Sequence, residues 1–189
     1  MPSVRTVRRQ RILDFDSECR PMHYSEFRAE SQITGIAWSW VGEDAVHCAI
    51  LEQDLSNEQD MLQQFMDAFN QADMVTGHYL RRHDLPLVID HCARLGVPWP
   101  RQILVQDTKV DLVRMNGLGQ SQENLATAFG LAEEKHHMCG ASWRVANALT
   151  PEGQAGTRKR VVDDVIQHTA LRAELLKRGM LRPPRMWRP

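Results

Sequence analysis

The apolar runs of this chain are unevenly spaced, and that spacing limits the fold more than any other feature. Three β-branched and aromatic runs fall early: RILDF at 11–15, ITGIAWSW at 33–40 and AVHCAIL at 45–51. Only a turn from Gly42 to Asp44 separates the last two, which therefore read as an antiparallel hairpin. The pattern then changes. Met61, Leu62, Phe65, Met66 and Phe69 repeat at helical spacing over 57–71, with Ser56 as a candidate N-cap. A short strand at 74–76 ends at Gly77, a helix with Pro86 in its first turn covers 85–95, and QILVQ at 102–106 is a fifth strand. Helices follow at 122–129, 142–149 and 158–178. Three strands, then alternation, then helices predict one α/β domain. Its mixed five-stranded sheet is antiparallel at its start and parallel later. The domain is expected over residues 1–180, with 181–189 a Pro- and Arg-rich tail outside regular structure.

Charge narrows the function classes. The chain has 23 Lys and Arg against 24 Asp and Glu, which excludes a globally basic nucleic-acid coat. Local basic patches and carboxylates still leave room for a nucleic-acid enzyme. The longest stretch without a charged residue, Ser31 to Gly42, has 12 residues, whereas a membrane span needs about 20. The basic N-terminus is followed by no apolar leader, and Cys19, Cys48, Cys92 and Cys139 form no CxxC pair. A cytoplasmic protein with reduced cysteines and no membrane association is expected.

Acids at three places carry the chemistry. Asp16 and Glu18 lie two apart at the end of the first strand and so project from one face. Such a pair repels unless a cation sits between, and hard divalent ions take oxygen ligands of this kind. Asp14 has the same parity, so an Asp14/Asp16 pair is a competing register. Asp84 lies where the strand ending at Gly77 gives way to a helix, and it reads either as an N-cap or as a ligand. In the last helix, Val161, Asp164, His168, Leu171 and Leu175 share a mostly apolar face. Asp163 instead aligns with Lys159, Arg160, Gln167 and Glu174 on a solvent face. Asp164 is therefore the acid that needs a partner. If the three places converge, they build a site for two divalent ions.

The pattern resembles the DEDD (DnaQ-like) 3′→5′ exonucleases, most of all the small stand-alone bacteriophage members. The first motif, an apolar strand ending D-x-E, is Ile12-Leu13-Asp14-Phe15-Asp16-Ser17-Glu18. The second, G-H-N-x-x-x-F-D-L-P, reads Gly77-His78-Tyr79-Leu80-Arg81-Arg82-His83-Asp84-Leu85-Pro86. The third, Y-x-x-x-D-V, reads Arg160-Val161-Val162-Asp163-Asp164-Val165. Asp107-Thr108 and the stretch from Leu125 to Lys135 also match. The resemblance implies a ribonuclease H-like fold and a nuclease using two Mg²⁺ or Mn²⁺ ions. Asp16, Glu18, Asp84 and Asp164 would be the ligands, and single-stranded DNA or RNA 3′ ends the substrate.

The family's general base is a Tyr four residues before the last Asp, or a His five before it. Arg160 and Lys159 hold those positions. Of His136, His137 and His168, His137 is the favoured replacement for orienting water. Tyr79, Arg81, Arg82, Lys135 and Arg160 are the candidate nucleic-acid contacts. Two other outcomes stay open: a protein that binds nucleic acid or a partner without cutting, and an endonuclease on the same fold.

Overall fold

The computed structural model describes residues 10–25, 28–113, 117–131 and 137–189. Its strands and helices are β1 (Ile12–Ser25), β2 (Arg28–Trp40), β3 (Val46–Ile50), α1 (Glu58–Gln71), β4 (Met74–Gly77), α2 (Asp84–Leu95), β5 (Ile103–Asp107), α3 (Gln122–Ala128), α4 (Gly140–Asn147), α5 (Pro151–Lys177) and β6 (Arg185–Trp187). The sheet order is β3-β2-β1-β4-β5-β6. β1–β2 and β2–β3 are antiparallel, while β1–β4 and β4–β5 are parallel. The antiparallel start and parallel continuation follow the sequence pattern.

The sheet has six strands, not the expected five, because the tail contributes β6, antiparallel to β5. Proline cannot donate a ladder hydrogen bond, which is why the tail reads as irregular. Pro183 and Pro184 in fact precede β6, and its three residues form a short edge strand. Trp187 lies opposite Ile103 and packs on the main core.

Side-chain alternation along β1 divides the molecule. Leu13 and Phe15 face α1 and α2, where Phe15 meets Phe65 at 4.8 Å between ring centroids. The even residues face α5, which packs over Ala37 and Ile50 through Val161 and Val165. Gly35 on β2 makes that packing close. A Cβ there would stand 2.8 Å from Ile50 Cδ1 and 3.0 Å from Thr157 Cγ2.

Two elements are longer than their apolar pattern. β1 and β2 continue as a hairpin through Ser25 and Arg28, in a polar stretch where no apolar alternation announces strands. Helix α5 starts at Pro151 rather than 158, because Thr150 accepts a cap hydrogen bond from Gly153 N. Gly153 looks like a loop residue, yet it lets α4 lie against α5, since a Cβ would run into the Val145 carbonyl. At α1 the N-cap is Asn57 rather than Ser56. Among the described residues, no helix is long and apolar enough to cross a membrane.

Candidate metal centre

β1 and α5 bring three acids to one point. Asp16, Glu18 and Asp164 each offer a carboxylate oxygen, and these oxygens lie within 4.8 Å of one another. Strand alternation turns Asp16 and Glu18 towards α5. A register shift follows Glu18: it pairs with Gly35, whereas Cys19 pairs with Ile33. The extra residue, Thr34, donates its hydroxyl to the Glu18 carbonyl at 3.2 Å. Bulges of this kind re-aim neighbouring side chains. Asp164 is buried, while Asp163 pairs with Lys159 at 2.7 Å. The helical periodicity had separated these two acids in that way.

Arg160 does not lie on the solvent face to which the periodicity assigned it. One turn before Asp164, its Nε stands 3.1 Å from Asp164 Oδ2 and 3.2 Å from Glu18 Oε1. Residues four apart on a helix are neighbours, and the acids draw the guanidinium inward. A permanent cation therefore sits among the carboxylates.

Asp84 is placed differently. It is the first residue of α2, and the N-cap is His83, which makes no side-chain capping bond. The N-cap reading of Asp84 is thus wrong, because its carboxylate turns towards β1 instead. Oδ1 accepts hydrogen bonds from Ser17 N at 3.1 Å and Ser17 Oγ at 2.6 Å. Oδ2 is buried and has no hydrogen-bond partner among the described residues. Burial pushes the Asp84 carboxyl up to about 6, with the Ser17 bonds opposing the shift. Asp84 stands outside the three-acid group and is tied to Ser17, which lies between Asp16 and Glu18 on β1. The Cys19 thiol is raised by burial and then by the charges of both Glu18 and Asp84.

Asp14 belongs to another network, which removes the Asp14/Asp16 register. Its carboxylate accepts from His168 Nδ1 at 2.7 and 2.8 Å and from Thr169 Oγ1 at 2.9 Å. His168 Nε2 lies 2.9 Å from Thr108 Oγ1, which is 3.0 Å from His78 Nδ1. Burial pushes His78 down to about 3, so its ring is neutral. His168 is thus enclosed and anchors α5 one turn beyond Asp164. It does not face the three acids. His137 is exposed ahead of α4 and is not part of the acidic group.

The loop between β4 and α2 hangs on Asp107, a residue whose role the sequence left unassigned. Its carboxylate accepts from the backbone N–H of Tyr79, Arg81, Lys109 and Val110, each at 3.0 Å. Tyr79 has a positive φ of 76°, and Lys109 Nζ stands 3.9 Å from its ring centroid. Arg81 is committed inward, to buried Asp111 at 2.7 Å and to the Val105 carbonyl. Arg82 is exposed. Lys135 and His136 lie outside the described residues.

The donor set suits a hard divalent cation: all the candidate ligands are carboxylates, and a buried oxygen of Asp84 has no partner among the described residues. No family model matches the chain, and no curated protein matches it. Among solved structures it is similar to the family B DNA polymerase from the hyperthermophilic archaeon Pyrobaculum calidifontis, with a TM-score of 0.64. The identity is 17%, and the match covers 89% of this chain but 25% of that one. The likeness is one of fold. The chain spans about a quarter of the polymerase's length.

Proposed function

We propose that the chain is a metal-dependent 3′→5′ exonuclease of the DEDD type, with a ribonuclease H-like fold, acting on single-stranded DNA or RNA. The observation that carries this reading is the meeting of Asp16, Glu18 and Asp164, which come from opposite ends of the chain. The order of the sequence motifs supports it, as does the fold likeness to a protein described as a DNA polymerase. The likeness to small bacteriophage members rests on the motifs alone.

Asp16, Glu18 and Asp164 would hold the Mg²⁺ or Mn²⁺, two ions in the full form of the reading, with Asp84 contributing its buried Oδ2. Bound divalent ions supply an activated water and charge neutralisation at a leaving phosphodiester oxygen. The chain's own residues set the rest. Ser17 fixes the Asp84 carboxylate, and His168 holds α5 against β1 so that Asp164 faces Asp16 and Glu18. Tyr79 and Arg82, on the loop that Asp107 holds, would contact nucleic acid, as would Lys135 and Arg160. Arg160 cannot accept a proton, so water is oriented from elsewhere, with His137 as the candidate.

A second reading, a protein that binds nucleic acid without cutting it, is favoured by one observation. The guanidinium already engages two of the proposed ligands. The test is a gel assay with 5′-labelled single-stranded DNA and RNA, in Mg²⁺, Mn²⁺ or EDTA, beside an Asp16→Ala/Asp84→Ala variant. A metal-dependent ladder shortening from the 3′ end, lost in the variant, supports the exonuclease. Retained binding with no cleavage supports the second reading. Cutting of a circular strand would make it an endonuclease.

A further inference from the structure

We propose that Arg160 is a built-in counterion that competes with divalent cations for Glu18 and Asp164. This rests on the metal-dependent reading above and adds to it a role for the residue at the family's base position. Arg160 contacts a carboxylate on β1 and another on α5, at 3.2 and 3.1 Å. The three side chains are only 17%, 15% and 3% exposed, so the attraction is poorly screened. Carboxylates gathered from two elements repel one another unless a cation lies between them. Here the chain supplies that cation itself.

Arg160 does not exhaust the acidity of the site. Asp84 is 1% exposed, and its Oδ1 is fixed on Ser17, between Asp16 and Glu18 in sequence. Its Oδ2 is left without a hydrogen-bond partner among the described residues. Asp16, whose carboxylate oxygen lies within 4.8 Å of those of Glu18 and Asp164, and the buried Asp84 carboxylate tied to β1 add acidity that favours a divalent ion. Such an ion can use Glu18 and Asp164 fully only after Arg160 lets go of them. A guanidinium stays charged at every working pH, so the competition does not fade as it would with a histidine. Once released, the same planar fork matches a phosphate.

The test measures Mn²⁺ binding, by the electron paramagnetic resonance signal of free Mn²⁺, at fixed ionic strength. The proteins are the full chain and its Arg160→Gln, Arg160→Lys and Asp16→Ala variants, with circular dichroism checking each fold. Arg160→Gln is expected to bind Mn²⁺ at least about tenfold more tightly than the unaltered chain. Arg160→Lys, which keeps a cation, is expected to stay near the unaltered chain, and it carries the comparison if the glutamine variant is misfolded: Lys binding Mn²⁺ tenfold more weakly than the unaltered chain overturns the proposal. Equal or weaker binding in Arg160→Gln, with binding abolished by Asp16→Ala, overturns it too. Arg160 is then a strut between β1 and α5, while the metal-dependent reading stands. Absence of Asp16-dependent binding in every variant removes that reading, and the proposal with it.

Discussion

Replacing Asp84 with Asn should change how the stability of the metal-free protein depends on pH. Burial raises the Asp84 carboxyl from 3.8 to about 6 in the folded state. The folded chain therefore holds this proton more tightly than the unfolded chain, which releases it near 3.8. As pH rises from about 4 to above 6, ionising Asp84 becomes a growing burden on the folded state alone. A difference of about 2 pH units at about 1.4 kcal/mol each makes that burden about 3 kcal/mol at pH 7.5. Asparagine keeps an acceptor for both Ser17 donors but never ionises. Its amide nitrogen replaces the unpartnered Oδ2, at a cost that does not vary with pH. The stability of Asp84→Asn relative to the unaltered chain should thus improve by about 3 kcal/mol between pH 4 and pH 7.5. For a domain of this size that is a relative gain of about 6–12 °C in Tm. Differential scanning calorimetry in EDTA, at several pH values, measures it. A Tm difference that stays constant across that range refutes the reasoning, because Asp84 would then ionise alike in both states. Added Mn²⁺ should narrow the gap at pH 7.5, since a cation stabilises the charged carboxylate of the unaltered chain only.

Three further outcomes follow from other contacts. His168→Leu leaves the fully buried Asp14 with the Thr169 hydroxyl and should cost about 3 kcal/mol in urea unfolding; Asp14→Leu/His168→Leu should cost less than the sum of the single changes. Arg81→Ala takes from the buried Asp111 carboxylate its 2.7 Å ion pair, leaving it the Asp107 N–H at 2.9 Å and Arg185 at 3.9 Å, and should cost about 3 kcal/mol, with little change in the salt dependence of nucleic-acid binding, because the guanidinium faces inward. Gly35→Val pushes Ile50 and Thr157 aside and lifts α5 from β2; it should cost about 1–3 kcal/mol and weaken Mn²⁺ binding, measured by Tm and by titration.

Much of this arrangement is legible in the residues, and the failures have identifiable causes. Asp164 and Asp163 separate because helical periodicity puts one acid on an apolar stripe. Arg160 is misassigned by the same wheel, since a long side chain four residues from a buried acid folds back towards it. Asp14 and Asp16 share parity, so alternation cannot rank them. The position of His168 on α5 decides, drawing Asp14 into its own network. Asp84 has the sequence signature of an N-cap, and only the placement of Ser17 on β1 shows that its carboxylate turns away. The polar outer halves of β1 and β2 carry no apolar alternation. The early start of α5 is hidden by glycines whose use lies in packing against α4. Asp107 supports a whole loop through backbone donors, which sequence patterns do not record.

The distance along the chain between the acidic partners has a consequence for biosynthesis. Arg160 and Glu18 are 142 residues apart, and Asp14 and His168 are 154 apart. A ribosome adding about 5–20 residues per second takes on the order of ten seconds to cover that interval. For all of that time the nascent chain carries Asp16 and Glu18 without α5. Throughout that interval the acidic group lacks Asp164, the acid that α5 brings to it. The acidic group would be complete only when the last long helix leaves the exit tunnel and docks against β1, so the order of translation sets when a metal site could first form.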